Sequence, residues 1–79
     1  MHPRPMSVKP LEGYRLLVTF RDSQQKIFDM TPLLELPCYQ KLKNKGFFLL
    51  AKVDNMTVYW DDDIDVCPDA LYENGVSIN

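Results

Sequence analysis

The sequence contains one histidine, His2, and three glycines in 79 residues. A lone histidine in a proline-broken stretch makes a poor general base, because proton transfer needs a group held in position. With no second histidine, Ser7, Ser23 and Ser77 have no catalytic triad to join. Three scattered glycines build no phosphate-cradling loop. Cys38 and Cys67 beside a single histidine do not supply zinc-ligand spacing. No apolar run approaches the roughly 20 residues that span a bilayer, and the first nine residues lack the apolar segment of a secretory signal. These absences lead us to expect a non-catalytic protein of the cytoplasm, with no cofactor, no metal and no membrane span, and with both cysteines reduced. The last scarcity is of cations. All nine Lys and Arg precede residue 54, against Glu12, Asp22, Asp29 and Glu35, whereas residues 54–79 hold the other seven acids and no base. The net charge of −2 therefore hides two oppositely charged halves, which points either to internal pairing or to a charged partner.

The composition that remains, 46% hydrophobic and 25% charged, is that of a folded globule. The length fits one small domain, 1–79, with a modest core. Tyr14, Leu16, Val18 and Phe20 alternate with Arg15, Leu17, Thr19 and Arg21, the period of a strand with one face buried. Asp22-Ser23 reads as a turn, and Gln24–Asp29 returns with Lys26 and Phe28 on one face and Gln25 and Ile27 on the other. A short strand over 6–11, with Met6, Val8 and Pro10 on one side, precedes this hairpin. It belongs at a sheet edge, since Pro10 cannot donate to a ladder. The result is an antiparallel meander over roughly 6–11, 14–21 and 24–29.

Thr31-Pro32 reads as a helix start with Thr31 as the capping acceptor, and Pro37 interrupts it. Cys38–Lys45 resumes the helix, with Gly46 as its left-handed C-terminal residue. Strands follow at Leu49–Val53, Thr57–Trp60 and Ile64–Val66, and a short helix covers Asp69–Glu73 after Pro68. Residues 1–5 read as a loose arm and 76–79 as a frayed tail. The order β-β-β-α-β-β-β-α with antiparallel neighbours defines an α+β fold built on a small sheet.

Asp61-x-Asp63-x-Asp65 opens like a calcium loop, but Val66 fills the glycine slot and Tyr72 the position of the bidentate glutamate, so the template match fails and the pattern weighs against calcium. The run Asp61, Asp62, Asp63, Asp65 then reads as a solvated turn or as an acidic patch for a basic partner. Tyr59 and Trp60 point to opposite faces of their strand, which leaves one of them exposed as an interface anchor. Lys41 and Lys45 share a helical side, and with Arg15 and Arg21 they form the alternative, a nucleic-acid-binding face. The aromatic remainder reads as core.

Val8-Lys9-Pro10-Leu11, Tyr14-Arg15-Leu16-Leu17-Val18-Thr19-Phe20, Phe28-Asp29-Met30 and Pro32-Leu33-Leu34 resemble a widespread family of small bacterial proteins of unknown function. Val58-x-Trp60, Ile64-Asp65-Val66 and Pro68-Asp69-x-Leu71-Tyr72 continue the likeness, which covers about positions 7–73. The resemblance implies a small α+β domain. It also implies the antitoxin half of a toxin–antitoxin gene pair, whose partner is a small toxin-like protein encoded nearby. It carries over no catalytic residues. The reading is a protein-binding module that covers its partner through Tyr59 or Trp60 and Asp61, Asp62, Asp63 and Asp65. The alternatives are a nucleic-acid-associated regulator and a self-associating small-ligand domain, since a short open sheet leaves edges to pair.

Overall fold

The computed structural model of the chain describes residues 2–54, 57–61 and 64–78. The meander forms as the alternation requires: β1 (Pro5–Leu11), β2 (Arg15–Phe20) and β3 (Gln25–Asp29) pair antiparallel in sequence order. Leu16 lies opposite Phe28, and Val18 opposite Lys26, in an unbroken register. The tight links have their physical cause in the backbone. Gly13 and Tyr14 take φ of 77° and 59° between β1 and β2, and Ser23 takes 73° in the turn to β3. The Gln24 amide there donates to Asp22 Oδ1 at 3.1 Å.

The meander gains a fourth strand. Val76–Ser77, in the segment expected to fray, forms β7 and pairs antiparallel with β3. Gly75 makes this approach possible. A Cβ there would lie 2.6 Å from the Leu71 carbonyl oxygen and 3.0 Å from Lys26 Cβ, so only glycine lets the chain pass from helix to sheet edge at this separation. The first sheet therefore runs β1-β2-β3-β7.

A second sheet, β4-β5-β6, is separate from the first, where the sequence suggested a single one. It comprises β4 (Lys52–Val53), β5 (Val58–Asp61) and β6 (Ile64–Val66), all antiparallel. β4 lies against β1. The inner faces of the two sheets share one core: Leu16, Val18, Phe20 and Phe28 from the first, and Val58, Trp60, Ile64 and Val66 from the second. Met30, Leu34, Leu42, Phe48 and Leu71 come from the connecting turns and helices.

The helical connections differ from expectation in their details. Thr31 is not the cap but the first residue of the turn, behind Met30, which makes no side-chain capping bond; Asp29 Oδ1 accepts from the Thr31 amide at 2.9 Å and from Thr31 Oγ1 at 2.8 Å. Thr31–Leu33 and Pro37–Lys43 are 3₁₀ helices, tightened by i→i−3 bonds such as Tyr39 N to Leu36 O at 3.0 Å. Gly46 does not end a helix. It sits inside α1 (Lys45–Phe48), which Asn44 caps by accepting from the Phe47 amide at 3.1 Å. Phe47 and Phe48 are thereby helical, and the strand expected from Leu49 shrinks to β4. α2 (Pro68–Asn74) starts on Pro68, which has no N–H to leave unpaired.

The start of the chain is docked where a loose arm was expected. The Arg21 amide donates to the Arg4 carbonyl at 3.0 Å, Pro5 is buried, and the His2 ring stacks on Tyr72 with centroids 4.8 Å apart. A bulge between Pro5 and Ser7 explains the side-chain directions in β1: it turns Pro5 inward and Met6, expected on the Val8 side, outward.

Candidate functional site

The acidic segment lies on the solvent face of the second sheet. In β5 the inner positions are Val58 and Trp60, both buried, and the outer positions are Tyr59 and Asp61, both half-buried. In β6 Asp65 is exposed between buried Ile64 and Val66. Register sets a cross-sheet row, Lys52 opposite Tyr59 and Tyr59 opposite Asp65. A register shift between Tyr59 and Asp61 then brings Asp61 opposite Ile64.

Around Tyr59 the surface dips into an open cleft of about 330 Å³, lined by Asp54, Thr57, Tyr59, Asp61 and Asp65. Asp54 and Thr57 hold each other: the Thr57 amide donates to Asp54 Oδ1 at 2.8 Å, and the Asp54 amide donates to the Thr57 carbonyl at 3.1 Å. Thr57 Oγ1 donates to the Val66 carbonyl, which ties the β5 entrance to β6. Lys41 reaches over from the 3₁₀ helix to Asp61, Nζ to Oδ2 3.3 Å, and lies 5.3 Å from the Phe47 ring centroid. Tyr39, two residues before it, donates its hydroxyl to the Asp65 carbonyl at 2.8 Å. Partial burial raises the Tyr39 phenol above its usual range, and any negative charge on Cys38, Asp65 or Cys67 adds to that. Cys38 and Cys67 are exposed free thiols.

The sequence-predicted residues therefore separate. Tyr59, Asp61 and Asp65 share one cleft. Trp60 does not: it is 3% exposed, donates from Nε1 to the Phe48 carbonyl at 2.9 Å and stacks on the Phe48 ring, so the ring of the pair that reaches the surface is the half-buried Tyr59. Asp62 and Asp63 lie outside the described residues. Asp54 and Thr57 line the cleft, and Lys41 contacts its Asp61, without any of the three having been singled out for it. Asp54 read only as a turn residue, and the contact of Lys41 spans 20 positions, a separation that local pattern does not reveal.

The alternative cationic set is dispersed. Arg15 and Arg21 flank β2 at its two ends, about 20 Å apart at the rise of a strand. Arg15 Nε donates to the Glu12 carbonyl at 3.0 Å, Lys41 is engaged with Asp61, and Lys45 lies at a second, apolar concavity with Pro10, Leu11, Tyr14, Phe48 and Leu49. That concavity, about 630 Å³ in volume, was not anticipated from the sequence. Among the described residues no three His, Cys, Asp or Glu side chains are placed to hold a metal ion, and no helix is long and apolar enough to cross a membrane.

These features define the class: a small α+β domain of two antiparallel sheets with a carboxylate-lined cleft on the outer face of the second. A family model described as a protein of unknown function, DUF2442, matches residues 5–77, and the chain belongs to that family. No curated protein and no solved structure matches it significantly.

Proposed function

We propose that the protein is a non-catalytic binding module whose cleft around Tyr59 receives a basic surface of a partner protein. The antitoxin reading suggested by the family resemblance is the form of this that we favour, with a small toxin-like protein encoded nearby as the partner. The observation that carries the reading is the outer face of β5 and β6, where a half-buried tyrosine sits among Asp54, Asp61 and Asp65. An aromatic ring with a polar tip supplies contact area at low entropic cost. Carboxylates around it steer a cationic partner and set orientation more than they add affinity. The pair Lys41–Asp61 fits a replaceable contact: both ends are solvent-accessible, at 67% and 34% of their side-chain surface, so a partner cation can exchange with Lys41 at small cost.

Co-expression with the neighbouring small gene product tests this. The expected result is a complex at low ionic strength whose association slows as salt is added. Tyr59→Ala should weaken the complex about tenfold or more, as for an interface anchor, with folding unchanged. Absence of a complex at every ionic strength would sink the reading. The nucleic-acid alternative would require the dispersed cations Arg15, Arg21, Lys41 and Lys45 to act together, and no specific observation favours it.

A further inference from the structure

Gly75 is a steric necessity, and Asn74 stands immediately before it. The chain turns there from α2 into β7, where a Cβ at 75 would lie 2.6 Å from the Leu71 carbonyl oxygen and 3.0 Å from Lys26 Cβ. Asparagine is a chemically labile residue. It is most so before glycine, which has no Cβ to shield its backbone nitrogen. Asn44 precedes Lys45 and Asn55 precedes Met56, so Asn74-Gly75 is the chain's single pair of this kind.

The folded chain holds the reacting groups apart. Asn74 is exposed and is the last residue of α2, and the Gly75 amide donates to the Leu71 carbonyl at 3.1 Å. Helical ψ turns the following nitrogen away from the Asn74 side-chain carbonyl carbon. Contacts to β3 keep the turn in place. Lys26 Nζ donates to the Tyr72 carbonyl at 2.6 Å, the Ile78 amide donates to the Gln25 carbonyl at 3.1 Å, and Val76 and Ser77 pair with Ile27 and Lys26. None of these is extensive. α2 has seven residues and β7 two, so this end of the molecule opens locally at less cost than the core.

We propose that Asn74-Gly75 is a site of spontaneous covalent modification, controlled by opening of the turn between α2 and β7, with water as its co-reactant. The Gly75 nitrogen attacks Asn74 Cγ. A C–N bond forms, the Cγ–Nδ2 bond breaks, and ammonia leaves with the proton of the Gly75 amide. Water then opens the cyclic imide: its hydroxyl adds to one carbonyl and its proton returns to the nitrogen. Opening at the side-chain carbonyl gives aspartate, and opening at the main-chain carbonyl gives isoaspartate. No electrons are transferred. Isoaspartate lengthens the main chain by a methylene between positions 74 and 75. Gly75 has no slack for it between Leu71 and Lys26, so β7 leaves β3 and uncovers that edge of the sheet. The release is one-way, and it is independent of the function proposed for the cleft around Tyr59.

Peptide mapping by mass spectrometry during incubation at mildly alkaline pH tests this, with fragmentation distinguishing isoaspartate from aspartate. The wild type should acquire both at position 74 and leave Asn44 unchanged, about tenfold or more slowly when native than in guanidinium chloride. Lys26→Met removes the bond to the Tyr72 carbonyl and should speed conversion of the folded protein, with the rate in denaturant unchanged. The Ile78 amide should exchange freely in the isoaspartate form. It should stay protected in Asn74→Asp, which keeps the main-chain spacing. A native protein unmodified at Asn74 when the denatured chain is fully converted overturns the inference. So does an equal rate in the native and denatured states, a folded Lys26→Met variant converting no faster than the wild type, or an isoaspartate form whose Ile78 amide is still protected.

Discussion

Trp60 Nε1 donates to the Phe48 carbonyl at 2.9 Å, and the two rings stack with centroids 5.8 Å apart at 30°. This pairing joins the middle of β5 to the end of α1 and makes a core anchor of the ring that an interface would otherwise have used. A buried indole needs a partner for its N–H, and a carbonyl at the end of α1 supplies it. Trp60→Phe should keep most of the packing and lose this one bond, at a cost of about 0.5–1.5 kcal/mol, since the Phe48 carbonyl still accepts from the Ala51 amide at 3.3 Å. Urea unfolding reads this as a lower midpoint, with partner capture unchanged in the folded protein.

Gly75 and Lys26 approach more closely than any other side chain would permit. Gly75→Ala should lower stability by about 1–3 kcal/mol, the usual cost of overpacking. The Gly75 backbone itself is extended at φ −72°, so the effect is steric and does not arise from φ strain. The signature is local: protection of the Ile78 amide should be lost before that of β2.

Leu42 is fully buried although it sits on a short 3₁₀ helix between exposed Lys41 and Lys43. Leu42→Ala should cost about 2–5 kcal/mol, as for other core leucines. Lys43→Ala beside it should move the urea midpoint little, because its pair with Glu35, at 4.0 Å, is exposed.

Lys41→Gln should change stability by no more than about 1 kcal/mol, since the Lys41–Asp61 pair is largely solvated. It removes the cation that a basic partner would have to displace, so association with such a partner should become faster and its salt dependence steeper. Unchanged association would remove the cleft from the interface.

Tyr39 makes stability fall at alkaline pH. Its folded-state pKa is raised, first by burial and then by the neighbouring thiols and Asp65. The folded protein therefore holds the phenolic proton more tightly than the unfolded chain. That contribution is whole below the unfolded value of 10.0 and is lost as pH rises through the folded value. Tyr72 acts with the same sign, through burial and then its hydrogen bond to Asp22. Tyr39→Phe should cost about 0.5–1.5 kcal/mol at neutral pH from the lost bond to the Asp65 carbonyl. It should also flatten part of the decline above pH 10, leaving the part due to Tyr72.

The meander was legible because alternation over Tyr14–Phe20 and the turn residues Gly13 and Asp22-Ser23 act within a few positions of each other. The α+β class follows from the same local signals, as does the acidic character of residues 54–65. The helical stretch from Thr31 to Phe48 was less so. Asp29 engages the Thr31 hydroxyl that was expected to cap, and α1 takes Phe47 and Phe48, with Phe48 packed on Trp60 in the core. Only tertiary structure could decide three things: that the strands divide into two sheets, that Trp60 turns inward while Tyr59 stays at the surface, and that residues 76–77 close onto β3. Each depends on partners 12 to about 50 positions away, brought together by burial of a shared core, and a short window of sequence carries no record of contacts at that range.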